Sequence, residues 1–392
     1  MFDAAQAQLF AYVLEPEGAT YATATVDVVD LRTRAVTQVF LGGDAFSGTV
    51  TPNNALFLVR DHTDSDTGNF PLFGLSIVAT ATRSLQTVLP LQNDGGVAAA
   101  PNAPVAYVTG CNAAGVVGVL DIGSGTLLDE IMLDVNPQDI WLSPSGATAY
   151  VTDGGHCAGT GLTDDSIAAV DMTARRQIAH IPLGGVPRVV AISPREDLVY
   201  VTKTAYPART SVAVIDTATN TVAGEIAIAN PGDMAVSPDG TRLYVVNYPN
   251  DGGSQVSVVD TATLRVAGAI VFQPSESAAG IAIHPNGHTI YVTYRDDMGQ
   301  SYLAEVDAAT NAITDAIPVP YAGGVTLVNG CAGDCDASGQ VTIGEIITSV
   351  NVALGYTAVQ ACPTVDRNGD GRVTIDELIR SVQTALDGCG AG

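Results

Sequence analysis

Residues 231–272 read PGDMAVSPDGTRLYVVNYPNDGGSQVSVVDTATLRVAGAIVF, and this stretch decides the fold. It holds four short apolar runs, each bounded by Gly, Pro, Asn or Asp and enriched in β-branched and aromatic residues, as strands are. A small-residue run, GDMAV, ends in the turn SPDG. The run RLYVVN follows, then QVSVVD closing on Asp260, then a turn and RVAGAIV. No apolar period of 3.6 residues persists here, so the segment is not helical.

The same unit recurs on both sides. FAYVLE, LFLVRD, VAYVTG, TAYVTD, LVYVTK, RLYVVN and TIYVTY place an aromatic at Tyr12, Phe57, Tyr107, Tyr150, Tyr200, Tyr244 and Tyr291. The next run ends on Asp30, Asp121, Asp171, Asp216, Asp260 or Asp307, with Ala79 in that place in the second repeat. These aspartates are expected to cap the turn that follows their strand. Four strands per repeat of about 45 residues make one blade of a β-propeller. Six inner-strand turns, through Pro52, Pro101, Pro144, Pro194, Pro238 and Pro285, lead into the next Tyr-Val strand. The run GGVTLVNG at 323–330 has no Tyr-Val strand after it, and the strand at Tyr12 has no inner strand before it. Pairing these two completes a seventh blade and leaves no open sheet edge. The expected class is therefore mainly β: a seven-bladed β-propeller over 1–330, closed by its N- and C-terminal strands. A small α-helical, two-loop calcium-binding domain is expected over 331–392.

The Tyr-Val-Thr strands, the segment VIDTATNTV (214–222) and the SPDG turn resemble the YVTN family of β-propeller repeats. The resemblance spans about residues 8–330, is strongest from Ala149 to Asp260, and is weakest in the second blade, which lacks the Asp and the Tyr. It implies a secreted or surface-attached bacterial or archaeal protein. It says little of function, because propellers host binding proteins and enzymes alike.

Composition changes at Cys331. DCDASGQVTIGE (334–345) puts Asp334, Asp336 and Ser338 at loop positions 1, 3 and 5, Gly339 at 6, Gln340 at 7, Thr342 at 9 and Glu345 at 12. DRNGDGRVTIDE (366–377) repeats the pattern with Asp366, Asn368, Asp370, Gly371, Arg372, Thr374 and Glu377. Calcium takes six to eight hard oxygen ligands, and a tightly turned loop with alternating carboxylates supplies them. Gln340 and Arg372 contribute carbonyls, Thr342 and Thr374 act through water, and Glu345 and Glu377 close each sphere. Two Ca2+ ions are expected. Thr342/Glu345 and Thr374/Glu377 also have capping-box spacing, so each loop runs into a helix. Those helices carry apolar stripes, Ile346, Ile347, Val350, Ala353 and Leu354 in one, Leu378, Ile379, Val382, Ala385 and Leu386 in the other. The stripes are expected to pack the helices on each other.

No helix is evident before either loop, and this loop-then-helix duplication resembles a dockerin module more than an EF-hand pair. Position 12 is Glu where cellulosomal dockerins carry Asp. Positions 10 and 11, which read cohesin in those modules, are Ile343-Gly344 and Ile375-Asp376. Cohesin is therefore not carried over as a partner. Cys331, Cys335, Cys362 and Cys389 allow three pairings, among which a Cys331–Cys389 clasp brackets the module.

The chain's 16 basic and 41 acidic residues give a formal charge of −25, and Lys203 is its one lysine. Such a surface repels nucleic acid and anionic membranes, so neither is an expected partner. No apolar run reaches the length of a membrane span. MFDAAQAQLF has no basic n-region or apolar h-region, so no signal peptide is visible, whereas four cysteines in a small module suit an oxidising, extracellular setting. The loop DHTDSDTGN (61–69) gathers Asp61, Asp64 and Asp66 but lacks a turn Gly and a closing Glu, so it reads as a solvated acidic loop. Cys111 and Cys157 follow equivalent strands and suit an inter-blade disulfide, or a free pair. His62, His156 and His284 share no metal spacing.

No nucleophile elbow, P-loop, HExxH or dinucleotide motif is present. The reading is an exported, non-catalytic binding or scaffold protein whose module mediates attachment to a protein or cell-surface partner, or to copies of itself. Two alternatives stand beside it: a lactonase- or lyase-like propeller enzyme with a site at the channel mouth, and a self-assembling subunit of an extracellular fibre or surface layer.

Overall fold

The computed structural model describes residues 9–14, 25–41, 44–51, 54, 56–63, 72–80, 82–91, 95–100, 103–110, 115–154, 165–205, 209–249, 253–273, 275–329, 332–335, 341–366 and 372–387. Among these, 28 strands form seven four-stranded sheets, the blades of a seven-bladed β-propeller. The fifth blade shows the pattern. Val186–Ile192 pairs antiparallel with Leu198–Ala205, which pairs with Arg209–Asp216, which pairs with Thr221–Ile226. The register sets Tyr200 opposite Ala191 on one side and Val214 on the other.

Propeller sheets are covered on both faces, so the middle strands are buried at every step and read as continuous apolar runs. Val199, Tyr200 and Val201 are all fully buried. Tyr200 packs with Val212, Val214, Met234, Leu243 and Val245, which joins the fifth blade to the sixth. Outermost strands alternate instead, as along Arg176–Pro182. The lone lysine is spent on structure. Lys203 is buried, donates from Nζ to the Leu183 carbonyl at 2.6 Å and pairs with Glu225.

The expected closure is present. Val325–Asn329 lies beside Leu9–Leu14, followed in the same sheet by Thr25–Asp30 and Val36–Phe40. Val328 is fully buried in a cluster with Phe10, Tyr12, Leu14, Val26 and Val28. The six blade aspartates cap their turns as expected. Oδ1 accepts a backbone N–H from Thr33 on Asp30, from Ser124 on Asp121 and from Ala174 on Asp171. It does the same from Thr219 on Asp216, Thr263 on Asp260 and Thr310 on Asp307. Hydrogen bonding from the turn holds the carboxyls of Asp121, Asp260 and Asp307 below the usual range. Each turn then needs one residue at positive φ: Arg34, Gly125, Arg175, Asn220, Leu264 and Asn311 occupy that place.

The chain divides into two compact units. One comprises Met1–Pro90, Ala99–Val105 and Thr326–Gly392, and the other Leu91–Ala98 and Ala106–Val325. Beyond the last strand come two α-helices, α1 (Ile343–Ala353) and α2 (Ile375–Asp387), with short 3-10 turns at Val359–Ala361 and Pro363–Val365 between them. No helix among the described residues is long and apolar enough to cross a membrane.

Candidate functional site

The C-terminal module is built from the loop ends inward. Thr342 caps α1 with φ −81° and ψ 164°, an extended residue at the point where the loop turns into helix. The capping box is complete. Glu345 N–H donates to Thr342 Oγ1 at 3.3 Å, while Thr342 N–H and Oγ1 donate to Glu345 Oε2 at 2.7 and 2.9 Å. The other oxygen, Glu345 Oε1, accepts from Cys335 N–H at 2.7 Å. One carboxylate thus joins loop position 12 to positions 2 and 9. In the second repeat Thr374 N–H and Oγ1 donate to Glu377 Oε2 at 2.8 and 2.9 Å.

Four of the expected ligands are carboxylates at the loop ends, and all four are buried. Relative exposure is 1 % for Asp334, 8 % for Glu345, 5 % for Asp366 and 8 % for Glu377. Burying a carboxylate is costly without donors or a cation to meet it. Each carboxylate offers about four lone-pair directions, and Thr342 and Cys335 occupy three of those of Glu345. Oxygen donors of this kind are the ones calcium prefers. Asp336, Ser338, Gln340, Asn368 and Asp370 lie outside the described residues. Arg372 is described, and its side chain is exposed. Among the described residues no three His, Cys, Asp or Glu side chains are gathered as a metal cluster.

The two repeats brace each other. A disulfide joins Cys335 of the first loop to Cys362 ahead of the second, with Cα atoms 4.5 Å apart. Thr364 Oγ1 donates to the Asp334 carbonyl at 2.8 Å. Gly333 has φ +87°, and a Cβ there would lie 2.6 Å from Cβ of Ser381 on α2, so glycine is required both for the turn and for the close approach. The Cys335–Cys362 bond is one of the three pairings left open by sequence; Cys331 and Cys389 lie outside the described residues, as do Cys111, Cys157, His156, Asp64 and Asp66 and the side chains of Asp61 and His62. His284 serves a turn, accepting Asn286 N–H on Nδ1 at 3.1 Å.

One expectation holds only in part. The helices do pack together, but of the expected stripe residues Ile346, Ala353, Leu378 and Ala385 are half-buried and none is fully buried. The buried residues of α1 are Glu345, Ser349 and Val352, and on α2 Glu377 and Ser381 are buried. Ser349 and Ser381 occupy equivalent positions, and each hydroxyl donates to the carbonyl of its closing glutamate, at 2.8 and 3.1 Å. Ile347, Val350, Leu354, Ile379, Val382 and Leu386 are exposed instead. The glutamates explain the arrangement: each must reach its own loop, and that fixes the rotation of its helix. The inward-facing serines had no apolar signal in sequence; only their i+4 spacing from Glu345 and Glu377 marks them.

Elsewhere, a cavity of ≈ 150 Å³ lies between the fourth and fifth blades, lined by residues that include Tyr150, Glu196, Thr217 and Asn220. Desolvation, with Glu196 nearby, pushes the Tyr150 phenol up to about 12. A space this small suits ordered water and falls short of a cofactor-sized pocket.

No protein-family model matches the chain. No curated protein matches it either. Among solved structures it is similar to hydrazine synthase of Kuenenia stuttgartiensis, at 19% identity and TM-score 0.53, covering 70% of this chain and 96% of that one. It is also similar to the dihydro-heme d1 dehydrogenase NirN in complex with DHE, at 15% identity and TM-score 0.58, covering 84% and 76%. A third is the β-propeller domain of Myceliophteria thermophila Cps50 (Swd1), at 11% identity and TM-score 0.53, covering 71% and 89%. At these identities the likeness establishes the propeller fold and carries nothing about chemistry.

Proposed function

We propose that the chain is an exported, non-catalytic binding or scaffold protein of the YVTN type. Its C-terminal module is a dockerin-like unit stabilised by two calcium ions and used for attachment or assembly. The observation that carries this reading is the burial of Asp334, Glu345, Asp366 and Glu377, the first and last ligand positions of both loops, inside one small helical module. Asp334, Asp336, Ser338, Gln340, Thr342 and Glu345 would hold one ion, and Asp366, Asn368, Asp370, Arg372, Thr374 and Glu377 the other. Calcium supplies positive charge to loops that concentrate carboxylates. The residues themselves set the entry of each helix and tie the loop ends together. The module buries little apolar surface, so ions and a disulfide are what such a unit relies on. The Cys335–Cys362 bond supports an oxidising destination. The names of the structural neighbours include enzymes, and the lactonase- or lyase-like propeller stands as the alternative.

The test is thermal unfolding of the full chain in about 10 mM calcium and in EDTA, followed by helical ellipticity. With dissociation constants on the order of 10⁻⁴–10⁻³ M, each ion adds about 1.4–2.7 kcal/mol to the module. The helical transition should fall in EDTA while the β-sheet transition stays in place. A single transition that does not move between the two conditions refutes the calcium reading.

A further inference from the structure

The inner-strand turns share a plan, and the fifth blade departs from it. Gly146, Gly240 and Gly287 stand at positive φ and donate N–H to the carbonyls of Ser143, Ser237 and His284. In the fifth blade Glu196 holds that place, at φ +58°, a region that L side chains rarely adopt. A second departure lies beside it. Arg242 of the sixth blade pairs across from Asp260 and donates from Nη1 to the Ala308 carbonyl of the seventh blade at 2.7 Å. In the fourth and fifth blades the corresponding residues are Thr148, across from Asp171, and Thr217. Both line the cavity of ≈ 150 Å³. One blade boundary is filled by a guanidinium; the other, with a short threonine in the arginine's place, is hollow.

Polar groups line this hollow without a full set of partners. Tyr150 is 2 % exposed, and its hydroxyl makes no hydrogen bond to a described residue, whereas Tyr12, at the same place in the first blade, reaches the Thr80 carbonyl. Asn220 Oδ1 is buried with no partner among the described residues. Glu196 accepts N–H and O–H from Ser145, two of a carboxylate's about four acceptor directions. No Lys, Arg or His among the described residues pairs with Glu196. Ile178 and Ile192 complete the walls, and Ile178, 43 % exposed, brings the lining out to the surface. We infer that this cavity binds the guanidinium of an arginine side chain from a partner protein. The inference rests on the reading of the propeller as a binding protein. A guanidinium is planar, always charged, and carries N–H donors and no acceptor, which matches a carboxylate set among unpartnered oxygens. The two isoleucines suit its methylene stem. A cavity of about 150 Å³ takes a guest the size of benzene, and a guanidinium is smaller. The formal charge of −25 draws a basic partner, and Glu196 repels an anion.

Trp141 packs against the cluster that holds Tyr150 and Ile192, so its fluorescence reports on the cavity. The full chain is titrated with an acetylated, amidated Gly-Arg-Gly peptide, and with the same peptide carrying lysine or citrulline, a neutral isostere of arginine. The arginine peptide should give a saturable change by about 10 mM, and the other two should bind at least about 10-fold more weakly. Glu196→Gln keeps one acceptor for Ser145 and should lower arginine affinity at least about 10-fold. Thr148→Arg copies Arg242; it should fill the cavity and abolish peptide binding, while the β-sheet unfolds no earlier than in the wild type. Absence of a saturable change with the arginine peptide overturns the inference. So does equal binding of the lysine or citrulline peptide, or a Glu196→Gln variant that is folded and binds like the wild type. The lining residues all belong to the propeller, so the titration should read the same in calcium and in EDTA. Its failure therefore leaves the calcium reading, which EDTA melting tests, untouched.

Discussion

Tyr12 and Tyr200 hold the same place in their blades, yet replacing each by phenylalanine should move stability in opposite directions. Both rings are fully buried, and desolvation pushes both phenols up to about 12. The Tyr12 hydroxyl donates to the Thr80 carbonyl at 3.4 Å, in the blade that follows it. The Tyr200 hydroxyl has no partner among the described residues. A neutral hydrogen bond is worth about 0.5–1.5 kcal/mol net, and at 3.4 Å the lower half of that range applies. Tyr12→Phe should therefore cost about 0.5–1 kcal/mol. A buried polar group left unsatisfied costs about 1–3 kcal/mol. Tyr200→Phe removes that penalty at almost no change in volume and should stabilise by about 1 kcal/mol. The difference between the two variants is then about 2 kcal/mol, or a factor of about 30 in the unfolding constant. The measurement is urea unfolding of the full chain, read by far-ultraviolet ellipticity and by the fluorescence of Trp141, the chain's single tryptophan, which packs against the core shared by the fourth and fifth blades. If Tyr200→Phe destabilises the protein as much as Tyr12→Phe does, the two hydroxyls are equivalent and the reasoning is refuted.

Two further outcomes follow from the same structure. Asp233 is half-buried between the inner strands of the sixth and seventh blades, where its carboxylate accepts N–H groups from Met234 and Ile281, both at 2.9 Å. Desolvation outweighs these bonds and pushes its pKa from 3.8 up to about 6. A carboxyl whose folded pKa lies above its unfolded value favours the folded state while protonated, so stability should fall as pH rises from 4 to 6, by at most about 3 kcal/mol. Asp233→Asn should remove that slope, and an unchanged pH profile would contradict the assignment. Replacing Cys362 by serine opens the bond to Cys335, 27 residues away. On the loop-entropy account this costs about 3.5 kcal/mol, and helical ellipticity should melt earlier while the β-sheet signal holds.

The propeller was legible because every blade states its plan locally. The Tyr-Val strands, the aspartates at their ends and the Pro-x-Gly turns each follow from neighbouring residues, and the turn bonds at Asp30 through Asp307 match that plan one for one. The closing strand at Val325–Asn329 was also legible, since an unpaired inner strand at one end and an unpaired Tyr-Val strand at the other leave one arrangement without open edges. The candidate site was legible only in part. Both capping pairs stood in the sequence and are formed, while the ligand pattern stands there as an expectation. The choice of Cys335–Cys362 among three pairings did not, because it depends on which segments meet in space.

The orientation of the two helices divides what sequence determines from what tertiary structure decides. Sequence alone determined that α1 and α2 form, where they begin, and that each carries an apolar stripe, because capping and periodicity are properties of residues three and four apart. Which side faces inward is a contest between that stripe and the closing glutamates. Glu345 bonds back to Cys335 and Thr342, and Glu377 to Thr374, so the glutamate face turns toward the loops and brings Ser349 and Ser381 with it. The outer part of each stripe faces solvent because a carboxylate tethered to its loop fixes the rotation of the helix that carries both.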